Sequence, residues 1–334
     1  MASQDAILPK GSRVLVTGAN GFIASNVIDH LLSSGYIVRG TVRDTKPYLD
    51  NIFHKAYGEE SFESVVLPSF EDTDALICTL DGAADMSSSS DPNAVIPWVV
   101  NATLNVLAAA AKTPSVKSVV LLSSSSAAYM TFPGGGPLVV DKDSYNDMSV
   151  KLAWDETTPE PLRRFAIYAA SKTEAEWKAW DWMEEQKPHF KLNTVLPGST
   201  YGRMLHTEKP SSMIIPYKLL KGDDAYAFMI EQWAVDVEDA ARSCSISLLD
   251  PAVKSERLFA MAETLDPEGM ALILRDIQPN NKFIPDAPKT QLPRVDILPR
   301  ERANDLLREF GRKGFSTIKE ALVLGVESFA RLGW

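Results

Sequence analysis

Cysteine is nearly absent: the 334 residues include two, Cys78 and Cys244. Histidine is scarce as well, with His30, His54, His189 and His206 the full set, and none of these residues has zinc-ligand spacing. A metal site is not expected, and nothing in the reading depends on a disulfide. Positive charge is also short. The 34 Lys and Arg stand against 44 Asp and Glu, a formal charge of −10, which argues against a nucleic-acid surface. Residues 1–9 carry Asp5 and lack the basic and apolar regions of a secretory signal. No continuous apolar run approaches the roughly 18 residues of a membrane span. The cytoplasm is therefore the expected location, with neither nucleic acid nor membrane as partner. There is no internal repeat.

What is present begins with size. At 334 residues the chain exceeds the roughly 250–300 at which one core stops growing. A large α/β unit over residues 1–202 and a smaller lobe, mainly residues 203–334, are expected. The stretch Arg13-Val-Leu-Val-Thr-Gly-Ala-Asn-Gly-Phe-Ile-Ala24 organises the first unit. Residues 14–17 read as a short strand of a parallel sheet, apolar on both faces. Gly18, Gly21 and Ala24 follow in a G-x-x-G-x-x-A arrangement. Gly18 permits the tight turn, Gly21 lets a pyrophosphate approach the backbone, and Ala24 lets a helix over 22–34 lie on the sheet. The free amides and positive dipole end of that helix form an anion site, so the stretch reads as a dinucleotide cradle.

Strand two spans residues 36–42. An NAD-binding version would end in Asp or Glu, accepting from the ribose 2′-hydroxyl. Here Arg39-Gly-Thr-Val-Arg43 stands in that place and the first acid is Asp44. Two guanidinium groups suit a 2′-phosphate, so NADP(H) is expected over NAD. The alternative is that both arginines are solvated and Asp44 pairs with one.

Further strands are expected over 62–67, within 76–86, and over 116–122 and 190–196, with helices over 93–112 and 165–186. Residues 127–164 show little helical periodicity, and long irregular stretches of this kind are often functional. Beyond Gly202 the alternation loosens. A helix is expected over 213–221. A strand over 233–237 and a helix over 238–249 are candidates to return to the first unit. A strand over 257–262 and helices over 301–310 and 316–332 complete the chain.

Two features carry chemistry. Ser123-Ser-Ser-Ser126 tips strand five, and Tyr168-Ala-Ala-Ser-Lys172 opens the helix that follows the irregular stretch. Residues four apart on a helix are neighbours. A tyrosine holds its proton to about pH 10, and bringing that value to about 7 needs roughly 4 kcal/mol, within reach of Lys172 and a nicotinamide charge. Tyr168 can then give a proton to a carbonyl oxygen as hydride reaches the carbon, with a strand-five serine holding the same oxygen. The spacing recurs at Tyr217 and Lys221. Place, not spacing, separates the two pairs, and Tyr217 is expected to pack or face solvent.

Together these residues resemble the extended short-chain dehydrogenase/reductase family. The matching elements are Thr17-Gly-Ala-Asn-Gly-Phe-Ile-Ala24, Leu122-Ser-Ser124, Tyr168-Ala-Ala-Ser-Lys172 and the turn of residues 197–202. The chain looks most like the dihydroflavonol-reductase branch, and especially the NADPH-dependent aldehyde/carbonyl reductases of yeasts and fungi. Val38-Arg-Gly-Thr-Val-Arg43, Thr103-Leu-Asn-Val-Leu107 and Tyr168-Ala-Ala-Ser-Lys-Thr-Glu-Ala-Glu176 carry that closer likeness. The resemblance covers most of the chain and is specific to about residue 202.

It implies an α/β fold, a doubly wound parallel sheet (Rossmann) with a smaller C-terminal substrate lobe. It implies Ser124 as catalytic serine, Tyr168 as proton donor, and Lys172 binding the nicotinamide ribose and lowering the tyrosine pKa. Gly18, Gly21, Phe22 and Ile23 would hold pyrophosphate, Arg43 the 2′-phosphate, and Pro197 and Ser199 would flank the nicotinamide amide. The implied activity is NADPH-dependent reduction of small aldehydes, ketones or keto esters to alcohols. Alternatives on the same fold are a nucleotide-sugar epimerase or dehydratase and a non-catalytic NADP-sensing regulator. Val42-Arg43 and Ser125-Ser126 weigh against the first, which wants acids there; the intact Tyr168–Lys172 pair weighs against the second.

The sequence departs from the family pattern near Ser69, where an aspartate is usual, and at Asp85 and Asp236, where histidines are. Phe132, Phe165, Tyr201, Met204, Phe228 and Trp233 are candidates for the substrate wall, half of them expected to be core.

Overall fold

The computed structural model describes residues 6–66, 73–78, 89–131, 135–208, 210–229, 233–289 and 293–334. Strand β1 (Arg13–Val16) feeds helix α1 (Phe22–Ser33), which ends at Gly35 in the left-handed conformation (φ 84°) and releases β2 (Ile37–Val42). Helix α2 (Pro47–Tyr57), β3 (Phe62–Val66), β4 (Ala75–Cys78), α3 (Pro92–Ala111) and β5 (Ser118–Leu122) follow. Then come β6 (Leu138–Val140), α4 (Asp147–Trp154), α5 (Glu160–Gln186), β7 (Lys191–Pro197), β8 (Ser199–Tyr201) and α6 (Ile214–Leu220). The chain closes with β9 (Trp233–Asp236), α7 (Val237–Leu249), β10 (Arg257–Ala260), β11 (Glu263–Thr264), α8 (Pro267–Ile277), β12 (Val295–Ile297), α9 (Arg300–Glu309) and α10 (Ile318–Leu332).

Seven strands form one sheet in the order β10-β7-β5-β4-β1-β2-β3, every pairing parallel. The central strands β1, β4 and β5 are buried and largely apolar on both faces because helices cover both. Val14 and Val16 of β1 join a core with Val27 and Ile28 of α1, Phe53 of α2 and Leu248 of α7, whereas Leu15 points the other way to Leu107 of α3 and Ala179 of α5. Gly40 lets the turn after β1 lie across β2: a Cβ there would stand 2.7 Å from the Ala19 Cβ and 2.9 Å from the Phe62 ring.

Two small sheets, β11-β9-β8 and β12-β6, lie outside the large one. Beside them α6, α8 and α10 build a lobe core around Tyr201, Met213, Leu219, Met270 and Leu322. The large sheet does not end with residue 202. β10 is its outermost strand, and α7 and α9 pack on its face through Leu248, Leu249, Leu306 and Leu307.

Residues 127–164 are less irregular than expected. They hold β6, α4 and the first turn of α5, with a 3-10 turn at Ser125–Ala127 leading in. Elements of three and eight residues are too short to establish a period. Tyr168 therefore sits well inside α5 and not at its start.

α3 is, among the described residues, the helix long and apolar enough to cross a membrane by length and composition. Asn93, Asn101, Thr103 and Asn105 interrupt the run without lowering its mean hydropathy below 1.6. In the fold one apolar stripe of it is packed, while Trp98 on the other side is exposed. Val95, Ile96 and Val99 meet Ala166, Ile167 and Ala170 of α5, and Leu107 and Ala110 reach the sheet core.

Asp236 closes β9 and caps α7, its Oδ1 accepting from the Glu238 amide at 3.2 Å. Burial, and then the charge of Asp239, push its carboxyl from 3.8 up to about 6. Between those values the native state binds more protons than the unfolded chain, so this group's contribution to stability declines as pH rises through that window. Asp236→Asn keeps a capping oxygen and removes the ionisation. It is expected to add on the order of 2 kcal/mol of stability at about pH 7.5, and little at about pH 4, in urea unfolding at both. Equal changes at the two pH values would contradict this assignment.

Candidate active site

In a parallel sheet the strands end at one edge, so the turns after β1, β5 and β7 share a crevice there. After β1, Gly18 takes φ 63° and its amide donates to Thr41 Oγ1 at 3.3 Å, while the Ala19 amide donates to the Thr41 carbonyl at 2.9 Å. Gly21 is the N-cap of α1 and supplies no capping side chain. The first-turn amides, those of Phe22 and Ile23 among them, are left for an anion. The turn thus has the backbone a dinucleotide pyrophosphate requires.

Arg43 lies just past the end of β2, exposed. Arg39 does not join it. The β2–β3 register sets Arg39 opposite Glu63, and the two form an ion pair at 2.7 Å. The expected pair of arginines is reduced to one, and Lys46, which sequence reasoning passed over, lies in the same turn.

After β5, Ser124 caps the 3-10 turn: its Oγ lies 2.8 Å from the Ser126 Oγ and accepts from the Ser126 amide at 3.2 Å. Helix α5 lies against this turn. Thr173 Oγ1 donates to the Ala169 carbonyl at 2.8 Å and lies 3.4 Å from the Ala127 carbonyl oxygen, and Lys172 lines one small cavity with Leu121, Leu122 and Ser123. Lys172 is buried; Tyr168, one turn earlier, is half-buried with the Phe165 ring centroid 6.5 Å away. The structure therefore brings α5, at Lys172, Thr173 and Glu176, against the turn that holds Ser124 after β5.

What fixes that meeting is a residue the sequence reading quoted only as part of a motif. Glu176, one turn beyond Lys172, has no exposed surface. Its Oε2 accepts from Ser123 Oγ at 2.7 Å, and its Oε1 accepts from Thr194 Oγ1 of β7 at 2.8 Å and from Arg257 Nε of β10 at 2.7 Å. Arg257 in turn donates to the carbonyls of Lys142 and Ser144 and lies 4.0 Å from the Tyr145 ring centroid. Asn146, also missed, donates to the Ser126 carbonyl at 2.7 Å and, through its amide, to that of Ala127 at 3.0 Å. An acid on the alanine-rich inward face of an otherwise charged helix was the available signal for Glu176.

Pro197 ends β7, and Ser199, half-buried, opens β8 beside it. Gly198 between them has no space for a side chain, since a Cβ would stand 2.4 Å from the Trp233 carbonyl oxygen. Of the substrate-wall candidates, Tyr201 and Met204 are core residues, each 1% exposed. Phe165 and Trp233 are half-buried. Ser69, Asp85 and Phe132 lie outside the described residues, as does the side chain of Phe228. Tyr217 packs among Phe329 and Trp334, with ring centroids 5.2 and 4.7 Å away.

A family model described as the NAD dependent epimerase/dehydratase family matches residues 14–233. The chain is 39% identical to a ketoreductase, nvfG, of Aspergillus novofumigatus, over 97% of this chain and 98% of that one. It is 35% identical to aldehyde reductase 2 of Sporidiobolus salmonicolor, over 95% of this chain and 96% of the relative. Among solved structures, yeast methylglyoxal/isovaleraldehyde reductase Gre2 complexed with NADPH matches with a TM-score of 0.76 at 22% identity, covering 96% of this chain and 99% of that one. That likeness is one of fold.

The Glu176–Arg257 pair yields a test. Glu176→Gln strands a buried guanidinium and is expected to cost about 3–5 kcal/mol in urea unfolding, whereas adding Arg257→Met should recover much of the loss. Additive losses in the double variant would show that the two groups do not act as a pair.

Proposed function

The chain belongs to the NAD-dependent epimerase/dehydratase family, and from that membership we propose that it is an NADPH-dependent carbonyl reductase. The observation that supports this reading is the packing of α5, at Lys172, Thr173 and Glu176, on the turn after β5, with Tyr168 one turn before Lys172 on the same helix. Similarity to a ketoreductase and an aldehyde reductase supports aldehydes, ketones or keto esters as the substrate class.

Gly18, Gly21, Phe22 and Ile23 would hold the cofactor pyrophosphate, Arg43 its 2′-phosphate, and Pro197 and Ser199 the nicotinamide amide. When bound, NADPH supplies hydride for the carbonyl carbon. Ser124 donates a hydrogen bond to the carbonyl oxygen, fixing its direction and stabilising the charge that develops there. Tyr168 gives that oxygen its proton. Lys172, beside Tyr168 on the helix, binds the ribose and favours the phenolate left behind. The lobe of α6, α8 and α10 would close over the substrate, with Phe165 and Trp233 as apolar walls suited to neutral, bulky carbonyl compounds.

The repeated Tyr-x-x-x-Lys spacing provides an internal control. Tyr168→Phe is expected to lower turnover of aryl ketones and β-keto esters by about 10²–10⁴-fold, followed as NADPH oxidation, with cofactor binding and thermal melting kept. Tyr217→Phe, in its aromatic cluster, should stay within about threefold of wild type. An inactive Tyr217→Phe beside an active Tyr168→Phe would overturn the assignment.

A further inference from the structure

The segment after β8 crosses from the lobe to the cofactor end of the large sheet. The Arg203 carbonyl accepts from Asn26 Nδ2 of α1 at 3.3 Å, and its guanidinium pairs with Asp29 and with Glu238, the latter at 2.9 Å. The Met204 amide donates to Ser328 Oγ of α10 at 3.1 Å. Leu205 packs on the sheet core, and His206 is buried with its ring 5.3 Å from that of Tyr48. The segment delivers Glu208 to the turn between β2 and α2. There its carboxylate pairs with Lys46 Nζ at 2.6 Å and accepts from the Tyr48 hydroxyl and from the Asn20 side chain of the glycine turn.

Burial alone would raise the Glu208 carboxyl; the bonds from Lys46, Tyr48 and Asn20 outweigh it and hold the group below the usual range. Glu208 is thus a fixed anion between the glycine turn and the end of β2. Arg43, Asp44, Lys46 and Glu208 together carry two positive and two negative charges. That balance is a poor one for a dianionic phosphate. The cation nearest in sequence to Arg43, Lys46, is already held by an acid from the lobe.

We propose that Glu208 is a specificity-determining residue for the cofactor, its carboxylate neutralising Lys46 against a 2′-phosphate and so weakening the chain's preference for a 2′-phosphorylated adenosine. The inference rests on the dinucleotide reading of the glycine turn above. A 2′-phosphate arriving beside Arg43 competes with Glu208 for Lys46 and is repelled by Glu208 itself. A 2′-hydroxyl does neither.

The test is calorimetric titration with adenosine 2′,5′-bisphosphate and with adenosine 5′-monophosphate, needing no turnover. Glu208→Gln keeps the size and one accepting oxygen but removes the charge. It is expected to tighten the bisphosphate about tenfold at low salt, less at high salt, and to leave the monophosphate within about twofold. Lys46→Met in the same chain should abolish the gain. An unchanged or weakened bisphosphate in Glu208→Gln, or equal tightening of both nucleotides, would overturn the inference. Wild-type protein binding both nucleotides equally would defeat the NADP preference proposed above; the Glu208 inference stands in that case if the variant still tightens the bisphosphate alone, and falls if it does not.

Discussion

A carboxylate with no exposed surface accepts from Ser123 at the tip of β5, from Thr194 in β7 and from Arg257 in β10, and its helix carries Lys172 one turn earlier. An ionised carboxylate survives such burial only when paired and fully hydrogen-bonded. α5 therefore cannot slide or turn relative to three strands without stranding a charge. Arg257 carries the constraint outward to the carbonyls of Lys142 and Ser144, and Asn146, two residues later, returns it to Ser126 and Ala127. Ser124 lies in the turn these contacts hold, between Ser123 and Ser126, so its place beside α5 is set by packing and not by the turn alone.

The lobe is seated against the same edge by close backbone approach. Gly325 of α10 lies where a Cβ would stand 2.9 Å from the Gly202 carbonyl oxygen and closer still to Met213. The 203–208 segment then ties the lobe to α1 through Arg203 and Asp29 and to the β2–α2 turn through Glu208 and Lys46. The same short stretch thus runs from the end of β8 to the turn between β2 and α2.

Features written in neighbouring residues were legible in the sequence. The turn of Gly18 and Gly21, helix α1 with Gly35 past its end, and the long helix bearing Tyr168 and Lys172 follow from local pattern, and the doubly wound sheet is what the family resemblance implies. What distant residues decide was not legible. Glu176 meets partners 53, 18 and 81 positions away, so no window shows that it is a junction. Arg39 resembles a phosphate ligand until the register puts Glu63 opposite it. β10 reads as a late strand of a loose lobe, yet it pairs with β7 in the large sheet. Tyr201 and Met204 look like pocket walls because aromatic and sulfur side chains serve core and pocket equally well.

The central claim is that this edge reduces a carbonyl and does not shuttle a sugar through a retained cofactor. It is tested most directly by the stoichiometry of wild-type protein incubated with NADPH and an aryl ketone, and separately with a nucleotide-sugar. A carbonyl reductase oxidises one NADPH for each alcohol formed and leaves the nucleotide-sugar unchanged. Epimerisation of the nucleotide-sugar with no net change in cofactor, and no alcohol from the ketone, would contradict it.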